Sequence, residues 1–277
     1  DVYKRQIMGL WTESPGHFPR QSVNEQIDED GEVRTDILVL AKPSDRMQLR
    51  VTFNRAADTE WPRLRFLGAV VSDPAVRFPP LRPKKASWGR VLEVPCKSQV
   101  DYPEAVNAWC SPTCVSMVLS YWAKILVRPE LHQNVPTIAR AVFDPSWQGT
   151  GNWSFNTAYA ARFAKMRAYV SRFSDVAEIE AWILKGVPVV ASVCYDRLRG
   201  LPRRGDGSSG HLVVCVGFND KGDVVVNDPG TRTEVRRVVA RSSFVEAWNY
   251  SNRTVYLIYP EQVRPPADRF GHWFSGH

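Results

Sequence analysis

No run of apolar residues in this 277-residue chain approaches the ~20 positions that a membrane-spanning helix needs, so no transmembrane helix is expected. Cysteine is scarce. Cys96, Cys110, Cys114, Cys194 and Cys215 are odd in number and irregular in spacing, which excludes a disulfide framework. Cys110 and Cys114 stand four apart, but no second Cys/His pair sits at ligand spacing. The chain therefore calls for no metal and no cofactor. Cys114, Cys194 and Cys215 read as small buried hydrophobes. The net charge is +7, yet the basic residues form no block. Pro83-Lys84-Lys85 and Leu201-Pro202-Arg203-Arg204 are short, and no aromatic residues interleave a basic stripe, so no nucleic-acid partner is expected. There is no internal repeat. The start, Asp1-Val2-Tyr3-Lys4-Arg5-Gln6, has neither an initiator methionine nor an apolar signal core; it reads as a fragment or a mature form, and residues 1–19 are expected to be disordered.

What is present is ordinary for a globular chain: 44% apolar and 23% charged residues, at a length that allows two modest domains. Residues 20–82 read as strands. Thr35 to Leu40 is followed by the turn residues Lys42-Pro43-Ser44-Asp45. Met47, Leu49, Val51 and Phe53 then alternate with polar residues, and Arg63 to Val71 continues the pattern. A small all-β, sandwich-like accessory domain is the expected packing. Proline and positive charge mark a linker at 83–88.

From residue 89 to 262 the character is α+β. Ser111-Pro112 predicts a helix start, with serine as N-cap, and Val115, Val118, Leu119 and Trp122 form one buried face. Further helices are expected at 135–142, at 156–163 (opened by Ser154 or Asn156), at 175–184 with Gly186 as stop, and at 241–248. Strands are expected at 187–193, 211–218, 223–227, 234–239 and 254–259, the second and third as a hairpin across Asn219-Asp220-Lys221-Gly222. The tail, 263–277, is expected to be loose or docked on the surface.

Within this frame three residues stand in the order a thiol hydrolase needs. Cys110 lies at a helix start, where the partial positive charge and free N–H groups favour thiolate. About a hundred residues later His211 opens an apolar strand, and Asp228 ends the next one. The hairpin places Asp228 opposite Val213, a diagonal neighbour of His211 roughly 7–8 Å away and within side-chain reach. A carboxylate there accepts from one ring nitrogen and leaves the other for the thiol. His17, His272 and His277 lie in the chain ends and His132 in a polar loop. The Cys110 backbone N–H, and the Gln99 side chain if its loop folds back, are candidate oxyanion donors.

These residues carry a resemblance. Val94-Pro95 with Ser98-Gln99, Trp109-Cys110-Ser111-Pro112-Thr113, Gly210-His211-Leu212-Val213-Val214 and Val226-Asn227-Asp228-Pro229 resemble, in order, motifs of the C39-like cysteine peptidases, papain-like relatives of the bacteriocin-leader-processing peptidases. The resemblance covers about residues 89–260. It implies a papain-like fold, with Cys110 as nucleophile, His211 as general base and acid, Asp228 as orienter and Gln99 as oxyanion donor. It also implies a substrate cleft flanked by Trp109, Ser111, Trp153 and Asn156, and a peptide or protein as substrate. The Gly149-to-Asn156 and Gly186-to-Val190 segments are similar to those of standalone members with an N-terminal β-domain, for which an exported location fits. The chain departs from the leader-processing enzymes in lacking a transporter's membrane helices and phosphate-binding loop, and in carrying Ser111 where glycine commonly follows the nucleophile. An amidase, transpeptidase or cell-wall peptidase could use the same triad. A binding protein with a relict site is the reading from another class, and the presence of all three residues argues against it. Oligomeric state is left open.

Overall fold

The computed structural model describes residues 6–12, 16–105, 109–204 and 210–274. The first five and last three residues of the chain lie outside the described residues. The fold is α+β. Its centre is a six-stranded antiparallel sheet in the order β4-β9-β5-β6-β7-β8, built from β4 (Met166–Arg172), β5 (Val189–Cys194), β6 (Gly210–Phe218), β7 (Val224–Asn227), β8 (Arg236–Val239) and β9 (Thr254–Pro260). β5 and β9 are buried at every residue, as strands covered on both faces must be. Helix α1 (Cys110–Leu126) packs on β6 and β9, α3 (Trp153–Ala161) on β4 and β9, and α4 (Val176–Leu184) on β5 and β6. α2 (Val135–Val142) braces α1 and α3, and α5 (Tyr195–Leu198) packs on α6 (Arg241–Asn249). No helix among the described residues is long and apolar enough to cross a membrane.

α1 runs through the core. The expected face, Val115, Val118, Leu119 and Trp122, is buried, but so is every residue from Ser111 to Ala123. Two of the polar residues on the other side find partners: Ser116 Oγ donates to Gln133 O (2.6 Å), and Ser120 Oγ accepts from Lys97 Nζ (2.8 Å), while the buried Thr113 Oγ1 has none. The start differs by one step from the sequence expectation. Helical geometry begins at Cys110 with Trp109 as N-cap, and Ser111 does not cap; its hydroxyl meets Tyr256 Oη at 2.9 Å. α3 likewise opens earlier. Asn152 Oδ1 accepts from Phe155 N–H (3.0 Å), and Asp36, 117 residues away, accepts from Trp153 N–H (2.8 Å) and Ser154 N–H (3.2 Å). α4 has the full capping box of Asp175 and Glu178.

The N-terminal segment holds one three-stranded antiparallel sheet, β1 (Ile27–Asp28), β2 (Gly31–Arg34) and β3 (Ile37–Leu40). Residues 47–53 and 63–71 form no strand, so a second packed sheet is not found among the described residues. Met47 and Leu49 are exposed, as are Val51 and Phe53. Alternation alone does not make a strand without an edge to pair with. Residues 65–72 run beside the end of α3 and the edge strand β4: Arg65 Nη2 donates to Ala161 O of α3 (2.8 Å), while on β4 Phe66 packs on Tyr169 (5.6 Å) and Arg172 bonds Ser72.

The proline-rich stretch before residue 89 is tied down by one carboxylate. Glu180 has no exposed side-chain surface; it accepts from Lys84 N–H (2.6 Å), Trp88 Nε1–H (2.8 Å) and Arg241 Nη1 (2.7 Å). Removing it strands three buried or half-buried donors. Glu180→Ala is therefore expected to destabilise the fold by roughly 3–5 kcal/mol. Denaturant melts that differ by less than about 1 kcal/mol would overturn this account of the anchor.

The tail is docked and enters the core. Trp273 is buried against Phe173 (5.3 Å) and Trp182 (5.6 Å), and its Nε1–H donates to Pro266 O. His272 Nδ1 meets the buried Glu178 carboxylate at 2.7 Å.

Candidate active site

Strands β6 and β7 pair Val214 with Asn227 and Cys215 with Val226, which brings Asp228 level with Val213. On the turn side the register slips by one at Val216, so that Gly217 faces Val225. A side chain at Gly217 would collide with Arg90 O at 2.1 Å; glycine lets residues 90–92 run against this bulge. The slip lies beyond the site and leaves its half of the hairpin in register.

The result is a hydrogen bond of 2.7 Å between His211 Nε2–H and Asp228 Oδ1, with His211 only 4% and Asp228 0% exposed. Asp228 Oδ1 also accepts from Gly230 N–H (2.9 Å), and its Oδ2 accepts from Arg237 Nη2 (2.8 Å). With Nε2 engaged, Nδ1 is the nitrogen left for Cys110, which is half-buried at the first residue of α1 and whose thiol is lowered by the imidazole.

The charges follow from these contacts. Burial pushes the Cys110 thiol up, but the hydrogen bond and charge of His211 and the N–H groups of Leu212 and Ser111 outweigh it, so the thiol ends below its ordinary value. Burial pushes the His211 imidazole down; Asp228 and Cys110 overcome this and lift it to about 9. Burial raises Asp228, and His211, Gly230 N–H and Arg237 bring it down to about 2. The shifts of the three groups favour thiolate, imidazolium and carboxylate in turn. Cys114, one turn along α1, is the contrast. Burial pushes its thiol well up, and its Sγ donates to Leu212 O (3.3 Å).

Gln99 begins a 3-10 turn, Gln99–Asp101, that folds back onto the same loop. Its N–H donates to Pro229 O (3.0 Å), and Ser98 Oγ caps Val100 N–H (3.0 Å). The Gln99 side chain is buried and its Oε1 has no partner. Lys97 fixes this segment to α1 through Ser116 Oγ (2.7 Å) and Ser120 Oγ (2.8 Å), and burial pushes its ammonium down to about 8.

The four residues assigned to the cleft fare differently. Trp109 and Ser111 flank Cys110, and Trp109 packs on Tyr102 (5.8 Å). Ser111 itself is fully buried and faces Tyr256, so it lies beneath the thiol and not on an open wall. Trp153 and Asn156 sit on α3. Asn156 is fully buried, its amide donating to Thr150 O (2.7 Å) and Asn152 O (2.8 Å), which turns it inward. No hydrogen bond or ring contact joins Trp153 or Asn156 to Cys110, His211 or Asp228 among the described residues.

Three contacts are not visible in the sequence pattern. Tyr195, the residue after β5, lays its ring on the His211 imidazole at 4.2 Å and donates from Oη to Gly230 O (3.2 Å). Gly230 looks like the end of an Asn-Asp-Pro-Gly turn. A methyl there would meet Tyr195 Oη at 2.7 Å and His211 Cε1 at 3.0 Å, so only glycine lets the ring and the imidazole lie together. Arg237 comes from the edge strand β8, where the Arg236-Arg237 pair offered the one available signal. No group of three or more His, Cys, Asp or Glu among the described residues is placed to hold a metal ion.

Residues 91–256 match the Peptidase_C39 like family, and residues 3–72 match the Peptidase C39 N-terminal domain. No curated protein matches the chain. A crystal structure described as that of a C39-like peptidase from Bacillus anthracis is similar at 16% identity and a TM-score of 0.47, over 61% of this chain and 96% of that one.

Proposed function

The chain belongs to the Peptidase_C39 like family, and from that premise we propose that it is a cysteine peptidase working through Cys110, His211 and Asp228 by an acyl-enzyme route. The Cys110 thiolate attacks the scissile carbonyl of a peptide. The developing oxyanion is met by the Cys110 backbone N–H, one of the free donors of the first helical turn, and by the Gln99 side-chain amide. The C–N bond then breaks as His211 gives its proton to the leaving amine, which yields a thioester and a free amino terminus. Water attacks the thioester, His211 takes its proton, and the thiolate returns with the carboxylic acid product. Asp228 holds the ring so that Nδ1 faces the sulfur throughout.

The observation that carries this reading is the 2.7 Å bond from His211 to a fully buried carboxylate, beside a thiol lowered by that same imidazole. The working form needs Cys110 deprotonated and His211 protonated. Activity should therefore rise as pH passes the lowered thiol value and fall again as pH passes about 9, where His211 loses its proton.

Iodoacetamide labelling across pH, read by peptide mass spectrometry, tests it. Cys110 should be labelled selectively over the buried Cys114 and Cys215, with a midpoint well below the about 8.5 of a free thiol. In His211→Ala that midpoint should move up, because burial then acts on the thiol unopposed by the imidazole. Labelling of Cys110 that is no faster than that of Cys114 and indifferent to His211 would sink the proposal.

A further inference from the structure

Asp228 is held from two sides, and one of the hands is unexpected. Its Oδ1 takes His211 Nε2–H and Gly230 N–H, which leaves Oδ2 to a single side-chain partner, Arg237 Nη2 at 2.8 Å. Arg237 stands on the edge strand β8, opposite Val226, with its side chain 24% exposed. An arginine on an edge strand is free to turn to water. This one does not, and its Nε is buried without a partner. An orphaned buried donor is a stability loss. The same strand shows the alternative next door: Arg236 satisfies itself on Asn227 Oδ1 (3.1 Å) and Val94 O (2.6 Å).

Resting on the triad reading above, we propose that Arg237 is a positioning residue: it fixes the Asp228 carboxylate so that Oδ1 stays aimed at His211 Nε2. The guanidinium neither reaches the sulfur nor moves a proton. It acts through Asp228, whose rotation would swing Oδ1 off the imidazole. The charged and titratable groups facing Asp228 are His211 from β6, Arg237 from β8, Tyr195 from α5, and Cys110 and Cys114 from α1. Of these, Arg237 is the one that contacts Oδ2.

The test uses the full chain with Arg237→Gln and Arg237→Lys, and reads the pH midpoint of Cys110 alkylation, which requires no substrate. A loosened Asp228 holds the imidazolium less well, so the thiol midpoint should move up in Arg237→Gln. The labelling rate near neutral pH should fall by on the order of 10- to 100-fold. Arg237→Lys should fall between, since it keeps the charge and loses the planar fork. If Arg237→Gln fails to fold, the lysine variant alone decides. A parental midpoint in the folded variants overturns the proposal. If Arg237 acts only by its positive charge, losing that charge in Arg237→Gln also moves the thiol midpoint up, but Arg237→Lys then keeps the parental midpoint, and that result overturns the proposal too. Failure of the underlying triad reading looks different: there the parent midpoint is already indifferent to His211→Ala.

Discussion

Cys110→Ala is expected to reduce peptide hydrolysis by on the order of 10⁴-fold or more, with no thioester detectable by mass spectrometry after mixing with substrate. The size follows from what the thiol supplies. Without it there is no covalent intermediate, and what survives is oxyanion stabilisation and binding alone. The loss should appear in kcat, since the side chain is small and half-buried and contributes little to holding a peptide. The fold should survive the change. Cys110 sits at the first residue of α1, alanine suits a helix, and the helix is held by the packing of thirteen successive buried residues from Ser111 to Ala123. Cys114→Ala is the control in the same helix. Its thiol is pushed up by burial and bonded to Leu212 O, so it should cost stability and leave the thioester intact. Turnover within about tenfold of the parent in a folded Cys110→Ala would mean that the nucleophile is elsewhere.

What the sequence made legible is what short-range chemistry dictates. The Ser111-to-Trp122 periodicity announced α1, and the run from Asp175 to its stop at Gly186 announced α4. Asn219-Asp220-Lys221-Gly222 announced the hairpin, although the register that carries Asp228 to His211 is set only after the bulge at Val216. Each of these signals lies within one element or one tight turn. The failures share the opposite property. Met47 to Phe53 has the alternation of a strand, but whether it pairs depends on an edge supplied from elsewhere, and none is supplied. The start of α3 was misplaced because half of its cap comes from Asp36, in the turn between β2 and β3. The tail, expected to be loose or docked on the surface, goes further than docking: Trp273 is buried against Phe173 and Trp182. In the site, Tyr195 and Arg237 could not be inferred from spacing, since their roles exist only once β5 and β8 lie on either side of the hairpin.

The same reasoning gives Asp228→Asn a sharper signature than the loss of the nucleophile. The replacement keeps the shape and leaves packing nearly untouched, yet it removes the charge that opposes burial at His211. Burial then pushes the imidazole down while only Cys110 still holds it up, so the alkaline limit of activity should retreat from about 9 toward neutrality. Asp228 itself is brought down to about 2 and stays ionised throughout the working range, so the parent's acid limb belongs to the thiol and not to this carboxylate. The variant should lose roughly 10³- to 10⁴-fold in kcat/KM near neutral pH. Its Cys110 alkylation midpoint should climb, because the imidazolium that favours thiolate is less populated there. Arg237 adds to the effect: with a neutral amide at 228 its guanidinium faces no anion, and it now repels the imidazolium it once helped to hold. A full pH profile of kcat/KM separates the possibilities. A narrowed bell with a lowered plateau is the expected form. A plateau lowered without any movement of the alkaline limb would show that Asp228 orients the ring but does not set its charge, and an unchanged profile would remove it from the triad.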